Sequence, residues 1–162
     1  AHLRGGLNYY EAEEEYAMKR PDRVTWLMSL ALLVSKRSTC SRRQVGALAE
    51  KDGRVLVTGY NGAPSGFPHC IDQGGCRLDE SGGCLDAVHA EANLIAFAAK
   101  HGISLEGATV YTTCAPCLDC AKLLINAGIK KVIYMEEYRD TRGKDLLIQA
   151  GVKVENVPIR RL

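Results

Sequence analysis

The spacing of apolar and polar positions divides the chain into alternating helices and strands. Apolar residues recur with helical period over residues 21–36, 87–100, 116–127 and 141–150. The segment 87–100 places Leu94, Ile95, Phe97 and Ala98 on its predicted apolar face. Short β-branched and apolar runs predict strands over residues 45–50, 54–60, 108–113, 131–135 and 152–157. Lys51-Asp52-Gly53 is typical of a hairpin turn, so the first two strands are predicted to pair directly.

The order of these elements predicts an α/β fold. The last three strands alternate with helices, which favours a parallel arrangement covered on both faces. Together with the hairpin, they predict a three-layer α/β/α sandwich on a five-stranded mixed sheet. Residues 61–85 form a loop rich in Gly and Cys. We expect one domain over residues 21–162, preceded by an N-terminal extension over residues 1–20.

Composition narrows the range of functions. The chain has 162 residues with a formal net charge of +2, which argues against a nucleic-acid polymer as partner but allows a local basic pocket for one phosphate. No apolar run reaches the ~20 residues of a membrane-spanning helix, and the N-terminus lacks a secretory pattern. We therefore expect a cytoplasmic protein with no membrane association.

Two short motifs carry the candidate chemistry. The first is His89-Ala90-Glu91, and the second is Pro116 followed by Cys117 and, three residues later, Cys120. An imidazole and two thiolates are preferred zinc ligands, and three protein ligands leave a fourth tetrahedral position open, as in catalytic sites. A Cys-x2-Cys pair alone is also typical of half a structural zinc ribbon, and His-x-Glu alone is common by chance. Their combination, with a predicted strand leading into Pro116, favours the catalytic interpretation.

Glu91 is predicted to transfer protons and not to bind the metal. Zinc bound by His89, Cys117 and Cys120 lowers the pKa of its bound water to roughly 7. A carboxylate beside that water can carry its proton to a substrate nitrogen and then to a leaving amine. This pairing of motifs is the signature of zinc-dependent nucleobase deaminases. Pro116 is expected at the first helical position, which would place both cysteines at the start of one helix.

The other five cysteines suggest a second metal site. Without a secretory signal, clustered thiols favour a closed structural zinc over disulfides. The predicted ligands of this second zinc are Cys40, Cys70, Cys76 and Cys84. Ordinary buried or free thiols are the alternative. Cys114 is the odd cysteine, and we expect it to line the pocket through its backbone without binding metal.

The sequence resembles the cytidine deaminase-like superfamily and, within it, the deoxycytidylate (dCMP) deaminases. The resemblance spans about residues 21–157 and is carried by residues 44–47, 59–66, 89–93 and 116–122. The stretch Gly-Tyr-Asn-Gly-x-Pro-x-Gly over residues 59–66 is the part most specific to the dCMP branch. The resemblance implies hydrolytic deamination of dCMP to dUMP and ammonia, which supplies dUMP for thymidylate synthesis.

The same resemblance implies roles for substrate-binding residues. Asn61 would hydrogen-bond the deoxyribose or the base, the backbone around Ala90 and Thr113 would read the cytosine edge, and Tyr138 would pack near the base. For the 5′-phosphate the sequence offers Arg42 and Arg43, since guanidinium groups suit phosphate contacts. Two solvated cations are the alternative for the arginines, and turn chemistry is the alternative for Asn61.

Regulation and assembly are also implied by the resemblance. It implies a homo-oligomer, as a hexamer, activated by dCTP and inhibited by dTTP. The backbone amides of residues 59–66 could hold a triphosphate, with Mg²⁺ as a possible companion. The predicted effector-binding residues are Gly59, Tyr60, Gly62, Pro64 and Gly66. The alternative is a rigid turn that only shapes the substrate pocket.

Two other functional classes remain open from sequence. One is another deaminase of the superfamily, acting on free cytidine or deoxycytidine, guanine or tRNA adenosine. The other is a non-catalytic deaminase-like protein with a role in assembly or DNA uptake. The presence of Glu91 argues against the second, because a purely structural zinc site has no use for a proton shuttle.

Overall fold

A computed structural model describes residues 20–158 of the chain. Almost all of the predicted N-terminal extension, together with residues 159–162, lies outside the described residues. The described elements, in chain order, are α1 Arg23–Ser35, β1 Gly46–Lys51, β2 Arg54–Tyr60, α2 Ala90–Lys100, β3 Thr109–Cys114, α3 Leu118–Asn126, β4 Lys131–Glu136, α4 Arg142–Gln149 and β5 Lys153–Asn156.

The strands form one mixed sheet in the order β2-β1-β3-β4-β5. β1 is antiparallel to both β2 and β3, whereas β3, β4 and β5 run parallel to one another. The hairpin turn contains Asp52 and Gly53, both with positive φ, as the sequence pattern predicts. The parallel half brings the carboxyl ends of β3 and β4 to the same edge, where Cys114 pairs with Glu136.

Helices cover both faces of this sheet, which confirms the three-layer prediction. On one face, α1 packs Leu27 and Ala31 against Leu48 of β1 and Ile133 of β4. On the other face, a larger core joins α2, α3 and α4 to the sheet; its fully buried members include Leu94, Leu124, Leu147, Val110 and Val132. The functional loops extend from the edge between these layers.

Two local predictions are wrong. Phe97 does not lie on the buried face of α2: its side chain is 51% exposed, and Leu94 and Ala98 form the contact with the core. Pro116 is not the first helical residue, because Cys117 is the extended N-cap of α3 (φ −70°, ψ 172°). The Cys117 thiolate takes the place of a serine or aspartate cap by accepting the Cys120 amide, so the helix begins after it.

Gly59 allows α2 to begin directly against β2. A Cβ atom at this position would lie 2.4 Å from the carbonyl oxygen of Ala90 and 2.7 Å from the amide of Leu94. The absence of a side chain therefore fixes how closely the first turn of α2, which carries Glu91, approaches the sheet.

Across residues 20–158, no helix combines the length and the apolar character needed to cross a membrane.

Candidate active site and metal centre

The N-termini of two helices bring the predicted zinc ligands together. His89 is the N-cap of α2, Cys117 is the N-cap of α3, and Cys120 lies in the first turn of α3. The Nδ1 atom of His89 lies 3.4 Å from Sγ of Cys117 and 3.5 Å from Sγ of Cys120. Tetrahedral zinc, with its usual bond lengths to sulfur and nitrogen, requires N···S separations of roughly 3.5 Å. The donor set thus fits zinc in both chemistry and spacing.

The ionisation of these ligands favours a cation between them. The hydrogen bond from Cys120, together with His89, lowers the pKa of Cys117 to about 4. The Cys117 thiolate in turn raises the pKa of His89. The hydrogen bond with Cys117 and burial both raise the pKa of Cys120, so a second thiolate forms when a metal ion replaces its proton.

Glu91 lies beside this centre but outside the donor set. It is in the first turn of α2, with only 4% of its surface exposed, and burial raises its pKa above the usual value for a glutamate. The Thr112 hydroxyl lies 3.4 Å from its Oε1 atom. A raised pKa increases the proton affinity of this carboxyl group, which suits a group that accepts and then donates a proton in general acid–base catalysis.

A cavity of about 360 Å³ opens next to these residues. Its lining includes both metal-centre residues and predicted substrate contacts: His89, Glu91, Cys117, Arg42, Arg43, Asn61, Ala90 and Tyr138. Thr113 is not among the lining residues, because its hydroxyl faces the sheet and accepts a hydrogen bond from the Gly46 amide. Cys114 and Ala115 form the wall at the end of β3 instead. The cavity volume suits a single nucleotide-sized ligand.

Three guanidinium groups line the cavity, one more than the sequence analysis identified. Arg139 was missed, although its position directly after Tyr138 in the same loop was a usable signal. Arg43 pairs with Glu136 at 2.7 Å, and Arg42 donates to the carbonyl of Gly82 at 2.8 Å. Within residues 20–158, no salt bridge involves Arg42 or Arg139. Both cations are therefore available to an anionic ligand.

The second predicted metal site is only partly assembled. The sulfur atoms of Cys70, Cys76 and Cys84 lie within 4.8 Å of one another, and Cys70 and Cys84 are 3.9 Å apart. Two sulfurs on one tetrahedral zinc are separated by roughly 3.8 Å. Cys40 is not part of this group of sulfurs; it lines the cavity, and its backbone amide donates to the Ser38 hydroxyl at 3.2 Å. Burial raises the pKa of Cys70 to about 12.

A second cavity, of about 730 Å³, lies on the other side of the loop 59–66. All five predicted effector-binding residues line it, together with Thr39, His69, Asn93 and the exposed side chains of Phe67 and Phe97. Asn61, in the middle of the same loop, lines the first cavity. One short segment therefore forms walls of both cavities.

The sequence matches a described protein family over most of its length. Residues 21–136 match the family described as the cytidine and deoxycytidylate deaminase zinc-binding region. This range contains both metal motifs and the loop 59–66.

Relatives and solved structures with extensive coverage agree with this match. Deoxycytidylate deaminase of Enterobacteria phage T4 is 37% identical over 174 aligned positions, covering 84% of this chain and 90% of the relative. ComE operon protein 2 of Bacillus subtilis is 40% identical over 142 positions, covering 85% of this chain and 74% of the relative. The crystal structure of dCMP deaminase from the cyanophage S-TIM5, in complex with dCMP and dUMP, superposes with a TM-score of 0.76. It is 41% identical, and the match covers 86% of this chain and 99% of that one.

Proposed function

The chain belongs to the cytidine and deoxycytidylate deaminase family, and from this membership we propose that it is a hydrolase that converts dCMP to dUMP and ammonia. The observation that carries the proposal is that His89, Cys117 and the buried Glu91 line one nucleotide-sized cavity, with Cys120 completing the donor set behind them. The similarity to a dCMP deaminase in complex with dCMP and dUMP supports this choice of substrate.

Deamination adds water at C4 of cytosine and releases ammonia, so protons must move from the water to the base. His89, Cys117 and Cys120 would hold a zinc ion, which would lower the pKa of its bound water to roughly 7. Glu91 takes a proton from the attacking water and passes it to the ring nitrogen; it then takes a second proton from the hydroxyl group formed at C4 and passes it to the leaving amine. Burial in the first turn of α2 keeps this carboxyl group oriented and raises its proton affinity for the task.

The three arginines favour a nucleoside monophosphate over a free nucleoside. Arg42 and Arg139 lack salt bridges in the described chain, and Arg43 has a single carboxylate partner at the cavity rim. A 5′-phosphate supplies acceptors for such donors, whereas a nucleoside leaves them without an anion. Asn61, Ala90 and Tyr138 line the same cavity, which supports their proposed contacts to the sugar and base. The backbone around Thr113 keeps its proposed role as a contact to the cytosine edge.

The thiol cluster is proposed to hold a second, structural zinc. Cys70, Cys76 and Cys84 supply three ligands, and their long loop has little core of its own. A metal ion there would stabilise the loop directly, since metal binding and local folding are coupled. Seven unpaired cysteines and a nucleotide substrate fit a reducing compartment, and we place the enzyme in the cytoplasm.

The second cavity is proposed as the site of regulation. Its glycine-rich wall offers backbone amides for the phosphates of dCTP or dTTP, with Mg²⁺ as a companion ion. The loop 59–66 connects it to Asn61 in the substrate cavity, which gives the two sites a direct physical link. We expect the protein to form a homo-oligomer, as a hexamer. Its product dUMP would supply thymidylate synthesis.

A direct test is to incubate the zinc-loaded protein with dCMP and to quantify dUMP and ammonia. We expect the two products in a one-to-one ratio, with dCMP consumed in the same amount. Absence of both products in a protein with full zinc content would contradict catalysis. That result would favour the alternative of a non-catalytic, deaminase-like protein. The name of the similar ComE operon protein 2 states no reaction.

A further inference from the structure

The carboxamide of Asn61 is held by a dense hydrogen-bond network beneath the cavity. Its Oδ1 atom accepts from the Ser38 hydroxyl at 2.6 Å and from the Val45 amide at 2.8 Å. Its Nδ2 atom donates to the carbonyl of Arg43 at 2.8 Å. These bonds distinguish oxygen from nitrogen, because each end has partners that only that atom can satisfy.

This network leaves the Asn61 side chain with one unused hydrogen-bonding group, the second N–H of Nδ2. Two donors approach Oδ1, namely the Val45 amide and the Ser38 hydroxyl, whose single proton is shared with the backbone carbonyl of Asn61; one of the two Nδ2 hydrogens is bound to the carbonyl of Arg43. Among the described residues, no further acceptor contacts Nδ2, and Asn61 lines the cavity. A ligand in the cavity therefore meets Asn61 as a single N–H donor. Such a donor selects an oxygen acceptor on the ligand and rejects a second donor.

Ser38 is the side chain that completes this arrangement. It is 7% exposed, and its hydroxyl lies within hydrogen-bond distance of both Asn61 oxygen atoms, at 2.6 Å to Oδ1 and 2.8 Å to the backbone carbonyl. The same oxygen accepts the Cys40 amide at 3.2 Å. Ser38 thus joins the end of α1, the segment that carries Arg42 and Arg43, and the loop 59–66.

We propose that Ser38 is a positioning residue for deamination, which fixes Asn61 as a one-donor contact to an oxygen of the nucleotide. The inference rests on the proposed function for the identity of the ligand. Two ligand oxygens have the required chemistry, namely the 3′-hydroxyl oxygen of the sugar and the carbonyl oxygen at C2 of the base.

The first test measures dUMP binding by calorimetry in the wild type and in Ser38→Ala, Ser38→Thr and Ser35→Ala. Ser35 is the matched control, because it is also buried near the end of α1 but donates only to the carbonyl of Leu32. One neutral hydrogen bond corresponds to roughly 3- to 10-fold in affinity. We expect this loss for Ser38→Ala, recovery in Ser38→Thr and no change in Ser35→Ala.

The second arm uses two analogues, 2′,3′-dideoxy-UMP and 2-thio-dUMP, to identify the oxygen. The analogue that lacks the relevant acceptor should bind the wild type more weakly and lose nothing further in Ser38→Ala, because the two changes remove the same interaction. An equal loss for dUMP and both analogues would show a general structural effect and overturn the proposal, as would unchanged dUMP affinity in Ser38→Ala.

A ligand-free measurement separates this inference from the proposed function. In protein labelled with ¹⁵N-asparagine, Ser38→Ala should shift the side-chain amide resonances of Asn61, and Ser35→Ala should leave them in place. Unshifted resonances in Ser38→Ala would overturn the positioning role. Failure of the wild type to bind dUMP or to convert dCMP would instead contradict the proposed function.

Discussion

Glu91 is the residue on which the chemical step depends. It is buried beside the donor set and does not belong to it, so its loss should separate chemistry from metal binding. We expect Glu91→Gln to retain zinc and to lose at least ~100-fold in kcat, since it removes a general acid–base group. Metal analysis and turnover on the same sample check this. Near-normal turnover in a zinc-loaded Glu91→Gln protein would exclude the proposed role.

Arg139 is the residue that we expect to bind the 5′-phosphate of dCMP. It lines the cavity without a salt bridge in the described chain, and its guanidinium lies 6.0 Å from the ring centroid of Tyr138. Arg139→Ala should lower kcat/KM for dCMP by roughly 10- to 100-fold, the range for hydrogen bonds to charged groups. Activity on deoxycytidine should change little.

Arg142→Ala is the control for this measurement. Arg142 is bound to Asp140 on the surface, three residues further along the same segment. It should leave both substrates unaffected. A parallel loss on dCMP and deoxycytidine in Arg139→Ala would mean that Arg139 supports the loop and not the phosphate.

At the residue scale, the spacing of motif residues predicts the metal ligands better than it predicts which residues line the cavity. The His-x-Glu and Cys-x2-Cys motifs place their donors within one helical turn, so the triad and Glu91 followed from sequence. The cavity wall depends on where β3 ends, one residue later than expected: Cys114, expected to line the pocket, does so, whereas Thr113 is not among the lining residues. Cys40 remains a predicted ligand of the second zinc that the structure does not bring into the group of Cys70, Cys76 and Cys84; it lines the cavity, and its amide donates to the Ser38 hydroxyl.

At the scale of elements, α4 presses against the metal-binding turn. A Cβ atom on Gly143 would lie 2.3 Å from the carbonyl oxygen of Pro116 and 2.7 Å from the carbonyl carbon of Cys117. Replacing a helical glycine with alanine ordinarily stabilises a helix by roughly 0.5–1 kcal/mol. We expect Gly143→Ala to do the opposite and to displace Cys117, which lowers the melting temperature and speeds zinc loss to a chelator.

Gly151→Ala is the glycine control for this effect. Gly151 has positive φ and open space around its Cα atom, so alanine there strains the backbone without touching the metal turn. It should lower stability by roughly 1–3 kcal/mol and leave the rate of zinc loss unchanged. A higher melting temperature with normal zinc retention in Gly143→Ala would contradict the close packing of α4.

The thiol loop gives a second prediction at this scale. Cys76→Ser should reduce the zinc content from about two ions per chain to about one, because it removes one of three adjacent sulfurs. Cys40→Ser should keep the higher content, since Cys40 lies outside the cluster. The KM for dCMP should also rise in Cys76→Ser, because Gly82, in the same loop, holds Arg42. One zinc per chain in the wild type would exclude the second site.

The order of helices and strands was predictable because apolar residues recur along each one with the spacing typical of a helix or a strand. The hairpin, the parallel half of the sheet and the three layers followed from that alternation. The loop 61–85 has no such period, and its geometry depends on pairings such as Arg77 with Asp86 and Asp79 with the amides of Ser81 and Gly83. Many alternative loop conformations could form equivalent ion pairs and hydrogen bonds. The sequence alone therefore does not select the observed conformation of the loop.

At the scale of the whole molecule, the two cavities share the loop 59–66, and regulation should pass through it. We expect dCTP with Mg²⁺ to lower the dCMP concentration at half-saturation and dTTP to raise it, with a coupling of roughly 1–3 kcal/mol. Phe97→Ser changes the wall of the second cavity at a side chain that is already 51% exposed. It should weaken both effects and leave basal turnover intact. Saturation curves that neither nucleotide moves would contradict a regulatory cavity.

In the whole molecule, the zinc centre and the arginine-lined cavity are proposed to act together on one nucleoside monophosphate. The ratio of kcat/KM for dCMP to that for deoxycytidine, measured on zinc-loaded wild-type protein, tests it most directly. We expect a ratio of at least ~100, because a nucleoside leaves charged donors of the cavity without their partner. Equal values for the two substrates would contradict the account and assign the cavity to free nucleosides.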